Sequence, residues 1–329
     1  MNTTKTISMI LGFVAALGGA SFAADGANPF EGLQEEMDRA RFVYETTPEN
    51  RLGGPDVDKL ALDIMRAARI TMRRATGPND TLTVFRHATD ASALIEIEPA
   101  TGALLFNRGY DELRGDNSTP GLVKGAAATE IAKGQLRQLG LLPEDAQELR
   151  LEHIGGVNMG VHRPDGTTEL FEKLTTIRFG RTIDGLAVQG PGGRLIVHLG
   201  TRGSLNGVVR NWQTFQERPL ATSDKLSALE VQNLAMQRLS QSSAAVERQI
   251  DSAQVVLYDD GDGVMEPAVH VMATITLEGP MTLENGMKVT KRFENPVDFY
   301  IPLAREPQAL FPFIKDKLAE APTPKIEKG

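Results

Sequence analysis

Apolar positions along the chain change their period. Between residues 24 and 76 they fall at helical spacing. "NPFEGLQEEMDRARFVYET" opens with Asn28 as a cap and Pro29 at the first helical position. "DVDKLALDIMRAARITMRRA" then places Leu60, Ile64, Ala67 and Ala68 on one helix face. The Pro- and Gly-rich "TPENRLGGPD" separates the two, so residues 24–76 are expected to form a short helical arm.

From Leu82 onward the pattern turns to short alternating runs, "TLTVFRH", "SALIEIEP" and "GALLFNRG", read as strands. Ala128, Ile131, Ala132, Leu136 and Leu139 then form a helical stripe, stopped by Gly140 and Pro143. Strand-like "LRLEHIGGVNMGVHR" and "TELFEKLTTIRFGRT" follow, joined through a "PDG" turn.

The hairpin "IEIEPATGALLFNR" has a counterpart in "IVHLGTRGSLNGVVR", with Gly102 and Gly203 in equivalent places roughly 100 residues apart. The helical stripe is answered by Val231, Leu234, Ala235 and Leu239, and each helix leads into a further strand. This predicts an internal repeat and an α+β fold: two units, each an antiparallel sheet packed by a helix. The expected segments are 24–76 for the arm, 77–177 and 178–304 for the two units, and 305–329 for a partly disordered tail. "LENG" is expected to be a tight turn between the last two strands.

The first 23 residues carry Lys5, an apolar centre from Ile7 to Leu17, and Ser21 and Ala23 before "ADG", the pattern of a cleaved secretory signal peptide. A periplasmic or secreted protein, with no stable membrane anchor after cleavage, is the expectation. The absence of Cys excludes disulfides, thiolate catalysis and Cys-ligated zinc. A formal net charge of −8 argues against nucleic acid as a partner, which calls for clustered Lys and Arg. The one basic cluster, "RAARITMRR", reads as a solvated helix face.

Candidate chemistry is sparse. The five histidines show no zinc-helix spacing. Asp260, Asp262 and Glu266 in "YDDGDGVMEP" are the best candidates for a cation, calcium by their oxygen chemistry, although the spacing departs from a calcium loop and also suits an acidic turn. "GPGGRL" lacks the ending of a phosphate loop and leads into a strand, so it reads as a turn. No G-x-S-x-G elbow occurs. No enzyme activity is expected on these grounds; an unrecognised hydrolase would need several buried carboxylates in one pocket.

"RFGRTIDGLAVQGPGGRLIVHLGTRGSLNGVV" resembles the propeptide domains of thermolysin- and fungalysin-type metalloproteases and the related PepSY domains. Gly185, Val188, Gly190, Val197, His198 and Gly203 stand at the matching positions, Ala187 replaces the usual Pro, and "IEIEPATGALLFN" is similar to the PepSY hairpin. The resemblance implies two PepSY-like units that bind and restrain, or help to fold, a protease or another exported protein. No protease domain and no H-E-x-x-H follow Trp212, so the implied role is a stand-alone, non-enzymatic binding module. Its implied contact residues are Val188, Gly190, Val197, His198 and Trp212, on a sheet able to accept an extended peptide. The alternative is a periplasmic protein that binds a small ligand or calcium in a cleft between the units.

Overall fold

The computed structural model describes residues 28–47, 51–76, 81–109, 113–143, 146–163, 165–242, 244–282 and 287–312. The expected signal peptide, the "LENG" turn and the last residues of the expected tail lie outside these. Helix α1 (Leu33–Arg39) and strand β1 (Phe42–Thr46) come first, then α2 (Gly54–Ala68) and the strands β2 (Arg73–Ala75), β3 (Thr83–Arg86), β4 (Leu94–Glu98) and β5 (Ala103–Asn107). Helix α3 (Gly125–Gln138) precedes β6 (Leu149–His162), β7 (Thr168–Ile183), β8 (Leu186–Gln189), β9 (Arg194–Leu199), β10 (Leu205–Asn211) and β11 (Phe215–Pro219). Helix α4 (Ala228–Ser240) leads to the long strands β12 (Ala245–Asp259), β13 (Val264–Thr282) and β14 (Lys288–Pro302).

The chain divides into two compact units. Among the described residues, unit 1 takes Thr46–Gly185 and Pro191–Phe215; unit 2 takes those up to Glu45, Leu186–Gly190 and those from Gln216 onward.

In unit 1 the strand order is β6-β7-β9-β10-β5-β4-β3-β2, every pairing antiparallel. Alternation along β4 and β5 buries Ile95, Ile97, Leu104 and Phe106, while β9 contributes Leu195, Val197 and Leu199. Against them pack Val57, Ala61, Ile64 and Ala68 of α2 and Ala128, Ala132 and Leu136 of α3, at helical spacing. Truncating Ile95 or Phe106 to Ala would cost about 2–5 kcal/mol, since neither site has solvent to fill the gap.

In unit 2 β13 is the central strand. It pairs antiparallel with β12 and β14 along most of its length and, near its start, with β1 through Tyr44↔Met265 and Glu45↔Val264. Strand β8 joins β12 in parallel through Leu257↔Val188. Leu33 and Met37 of α1 and Val231, Ala235 and Leu239 of α4 cover Val269, Val271, Ile275, Phe299 and Ile301. A capping box of Ser227 and Glu230 starts α4, and Arg305 pairs with the same Glu230.

The expected fold class is overturned. Strands make up 47% of the structure against 21% helix, in mixed directions, in place of two repeated PepSY-like α+β units each packed by one helix. The paired hairpins explain the misreading. Strand β5 pairs directly with β10 through Phe106↔Val208, so the two similar hairpins are neighbours in one unit rather than seeds of two. The expected helical arm is also interrupted. Gly32, at φ 73°, delays α1, Asn28 caps only the turn before it, and aromatic and β-branched "FVYET" forms β1.

Candidate functional site

Unit 1 contains a cavity of about 810 Å³ bordered by the end of α2, the segment after β5, β7 and the β9–β10 turn. Four cationic side chains line it, Arg69, Arg108, Lys173 and Arg202, together with the polar side chains of Ser118, Thr119 and Asn206. No Asp or Glu stands among its described lining residues, in a chain whose net charge is −8.

Each cation is placed by local structure. Helix α2 ends at Arg69, which adopts the left-handed conformation at φ 54°, where its backbone N–H donates to the carbonyl oxygens of Arg66 and Met65. Glycine is the usual residue at such a helix end. In the β9–β10 turn Arg202 is also left-handed, at φ 53°, and its N–H donates to the Gly121 carbonyl at 3.0 Å. The next residue, Gly203, has φ 78°, and a Cβ there would lie 3.0 Å from Ile131 of α3. Arg108 is fixed through its backbone N–H, which donates to the Asn206 carbonyl at 2.8 Å.

Lys173 is 2% exposed. Its Nζ donates to the carbonyl oxygens of Gly115 at 2.8 Å and Asn117 at 2.5 Å, stapling that segment onto β7. The neighbouring Glu172 backbone completes the staple, accepting from Thr119 N–H at 2.8 Å and donating to Ser118 Oγ at 3.1 Å. Burial lowers the Lys173 ammonium from its ordinary range, and the carboxylate of Asp116 acts the other way. Among the described residues no ion pair involves Arg69 or Arg202. Both arginines are exposed and line the cavity, and a guanidinium is suited to a carboxylate or phosphate oxygen.

The residues singled out from the sequence fall elsewhere. Val188, Val197 and Trp212 are buried, at 4%, 0% and 4% exposure, and so build the interior rather than a contact surface. Trp212 lies under the guanidinium of Arg181, 5.2 Å from the ring centre, and Arg181 Nε donates to Glu148 at 2.7 Å. Gly190 has φ 102°, and a Cβ on it would meet the Asp259 carbonyl oxygen at 2.2 Å. His198 shares a hydrogen bond of 2.9 Å between Nδ1 and Thr176 Oγ1, and burial pushes its imidazole down to about 4.

The acidic turn is drawn together, but by backbone donors. Asp260 Oδ1 accepts from the N–H groups of Asp262, Gly263 and Val264. Glu266 is 1% exposed and its carboxylate accepts from Gln308 and Ala309, while Asp262 points to solvent. Among the described residues no group of three or more His, Asp or Glu stands close enough to hold a metal ion. No helix there is long and apolar enough to cross a membrane.

No sequence signal marks the cavity: its cations stand at 69, 108, 173 and 202, and topology alone brings them together.

No family model matches the sequence, and no curated protein matches it. Among solved structures the chain is similar to an uncharacterized protein from Eubacterium rectale ATCC 33656, with 11% identity over 82% of this chain and 86% of that one. The TM-score of 0.45 is too low for that likeness to bear on function. The PepSY resemblance therefore rests on the quoted residues alone.

Proposed function

We propose that this chain is a binding protein for a small carboxylate- or phosphate-bearing ligand, held in the cationic cavity of unit 1. One observation carries the reading: Arg69 and Arg202, both in the left-handed backbone region, border one cavity with buried Lys173, and no carboxylate stands among its described lining residues. A non-glycine residue in that conformation costs on the order of 1–3 kcal/mol, and such residues cluster at ligand clamps. Guanidinium forks suit planar or tetrahedral oxyanions, and the hydroxyls of Ser118 and Thr119 add neutral donors.

This is the small-ligand alternative of the sequence reading, with the site inside unit 1 and without calcium. It stands ahead of the module that restrains an exported protease, because three of that reading's five contact residues are interior. Calorimetric titration of the purified chain with citrate, inorganic phosphate and sulfate tests it. Saturable binding of one of them, lost in the Arg69→Gln plus Arg202→Gln variant, is expected. Equal heats in the variant and the parent would sink the reading.

A further inference from the structure

Burial separates two tiers of donors at the unit 1 cavity. Arg69 and Arg202 are exposed, whereas Lys173 and Asn206 are 2% and 4% exposed. Their placement follows from strand register. The buried face of β7 runs back from Phe179 through Ile177 and Thr175 to Lys173, so an ammonium stands where the apolar core ends. Leu199 pairs with Thr175 on one side and with Leu205 on the other, which sets Lys173 and Asn206 on either side of the end of β9. Gly200, the next residue, has to stay bare: a Cβ there would stand 2.6 Å from Asn206 Oδ1.

Both buried residues keep a donor to spare. An ammonium has three N–H donors, and Lys173 gives two of them to the Gly115 and Asn117 carbonyls, with no third hydrogen-bond partner among the described residues. Asn206 Oδ1 accepts from Ser204 Oγ at 3.4 Å. Its amide nitrogen has no partner among the described residues and keeps contact with solvent. Buried donors are completed by water or by a bound group, and here both belong to residues lining one cavity.

The remaining lining decides what body such a ligand has. Gln135 and Thr201 add an amide and a hydroxyl that have no partner among the described residues. No Phe, Tyr, Trp or His stands among the described lining residues, so a flat base finds no ring to stack on. At about 810 Å³ the cavity falls in the range that encloses whole organic molecules, well beyond one tetrahedral oxyanion.

We propose that the ligand is a non-aromatic, polyhydroxylated molecule with two anionic groups, the chemistry shared by sugar diacids and sugar bisphosphates. Arg69 and Arg202 take one anionic group, Lys173 and Asn206 take the other, and Gln135 and Thr201 take hydroxyls. This rests on the anion-site reading of the cavity and specifies the rest of the ligand.

Calorimetry on the full chain with matched probes tests it. Glucarate is set against gluconate, which has one carboxylate, and against adipate, which has two but no hydroxyls. Fructose 1,6-bisphosphate is set against glucose 6-phosphate and against ADP. Glucarate or fructose 1,6-bisphosphate should bind about tenfold tighter or more than both of its matched probes, the worth of one hydrogen bond to a charged group. Whichever set shows the gain tells carboxylate from phosphate. Gln135→Ala plus Thr201→Ala, at half-buried and exposed positions, should erase the gain over adipate or ADP. Asn206→Asp keeps the shape and the acceptor but turns the donor into a carboxylate, and should erase the gain over gluconate or glucose 6-phosphate. A ratio between probes is blind to a general loss of folded chain, so ordinary packing moves neither gain. If Asn206→Asp does not fold, the matched probes on the parent still decide. Saturable binding of inorganic phosphate with no gain for either hydroxylated dianion overturns the proposal and leaves the anion site standing. A preference for ADP, or gains that survive both variants, overturns it as well. No binding by any anion brings down both readings together.

Discussion

Arg69 and Arg202 share one backbone conformation, φ 54° and 53°, and border one cavity. A residue with a Cβ in the left-handed region loses about 1–2 kcal/mol that glycine does not, while glycine adds roughly 0.5–1 kcal/mol of unfolded-chain entropy. Arg69→Gly or Arg202→Gly is therefore expected to leave stability unchanged or raise it by about 0.5–1 kcal/mol. The same change should weaken anion binding by removing a guanidinium. Urea denaturation and calorimetry on the same preparations would read the two effects. A loss of stability in both variants would mean that the arginines serve the fold and not a ligand.

Lys173 joins that cavity to the fold. Lys173→Met retains an apolar stem but leaves the carbonyl oxygens of Gly115 and Asn117 without their donor. A stability loss of about 1–3 kcal/mol is expected. Amide exchange in the 113–120 segment should quicken more than in the rest of unit 1. Uniform exchange across the unit would contradict the staple.

His198 makes stability depend on pH. Its folded-state value of about 4 lies below the ordinary value near 6.5, so the folded protein binds fewer protons than the unfolded chain between those limits. Its favourable balance is complete above about pH 6.5 and is lost as pH falls towards about 4, by on the order of 3 kcal/mol. Thermal melts across that window should show a decline that His198→Gln flattens. An identical decline in the variant would assign it to carboxylates.

Gly190 tolerates no side chain. At φ 102°, with the Asp259 carbonyl oxygen 2.2 Å from where a Cβ would sit, Gly190→Ala must shift β8 away from β12. A loss of about 3 kcal/mol or more is expected, as strain and overpacking add. Chemical denaturation decides it, and a parent-like midpoint would show that β8 can slide.

Local patterns were legible where one face of an element is buried. The stripes Ala128–Ala132–Leu136 and Val231–Ala235–Leu239 and the alternation of Ile95 and Ile97 all reappear in the cores. Non-local facts were not. Hairpin likeness cannot show that β5 and β10 are neighbours, because the pairing depends on which edges remain open once the chain collapses. "FVYET" suits a helix or a strand, and only its pairing with β13 makes it β1. The carboxylates Asp260 and Glu266 stood out by type, yet Glu266 and Asp260 Oδ2 accept from backbone N–H groups some 40 to 50 residues on, which carry no signature, while Asp260 Oδ1 accepts within its own turn. The cationic cavity gathers side chains from four separate elements, and no spacing rule reaches across them.

The pairing of Tyr44 with Met265 sets a timetable for synthesis. At about 5–20 residues per second the ribosome releases β13 roughly 10–40 seconds after β1. Throughout that interval a strand carrying Phe42, Val43 and Tyr44 must wait with its edge open while the whole of unit 1 emerges. The β1 edge that pairs with β13 is thus exposed to mispairing until that strand arrives.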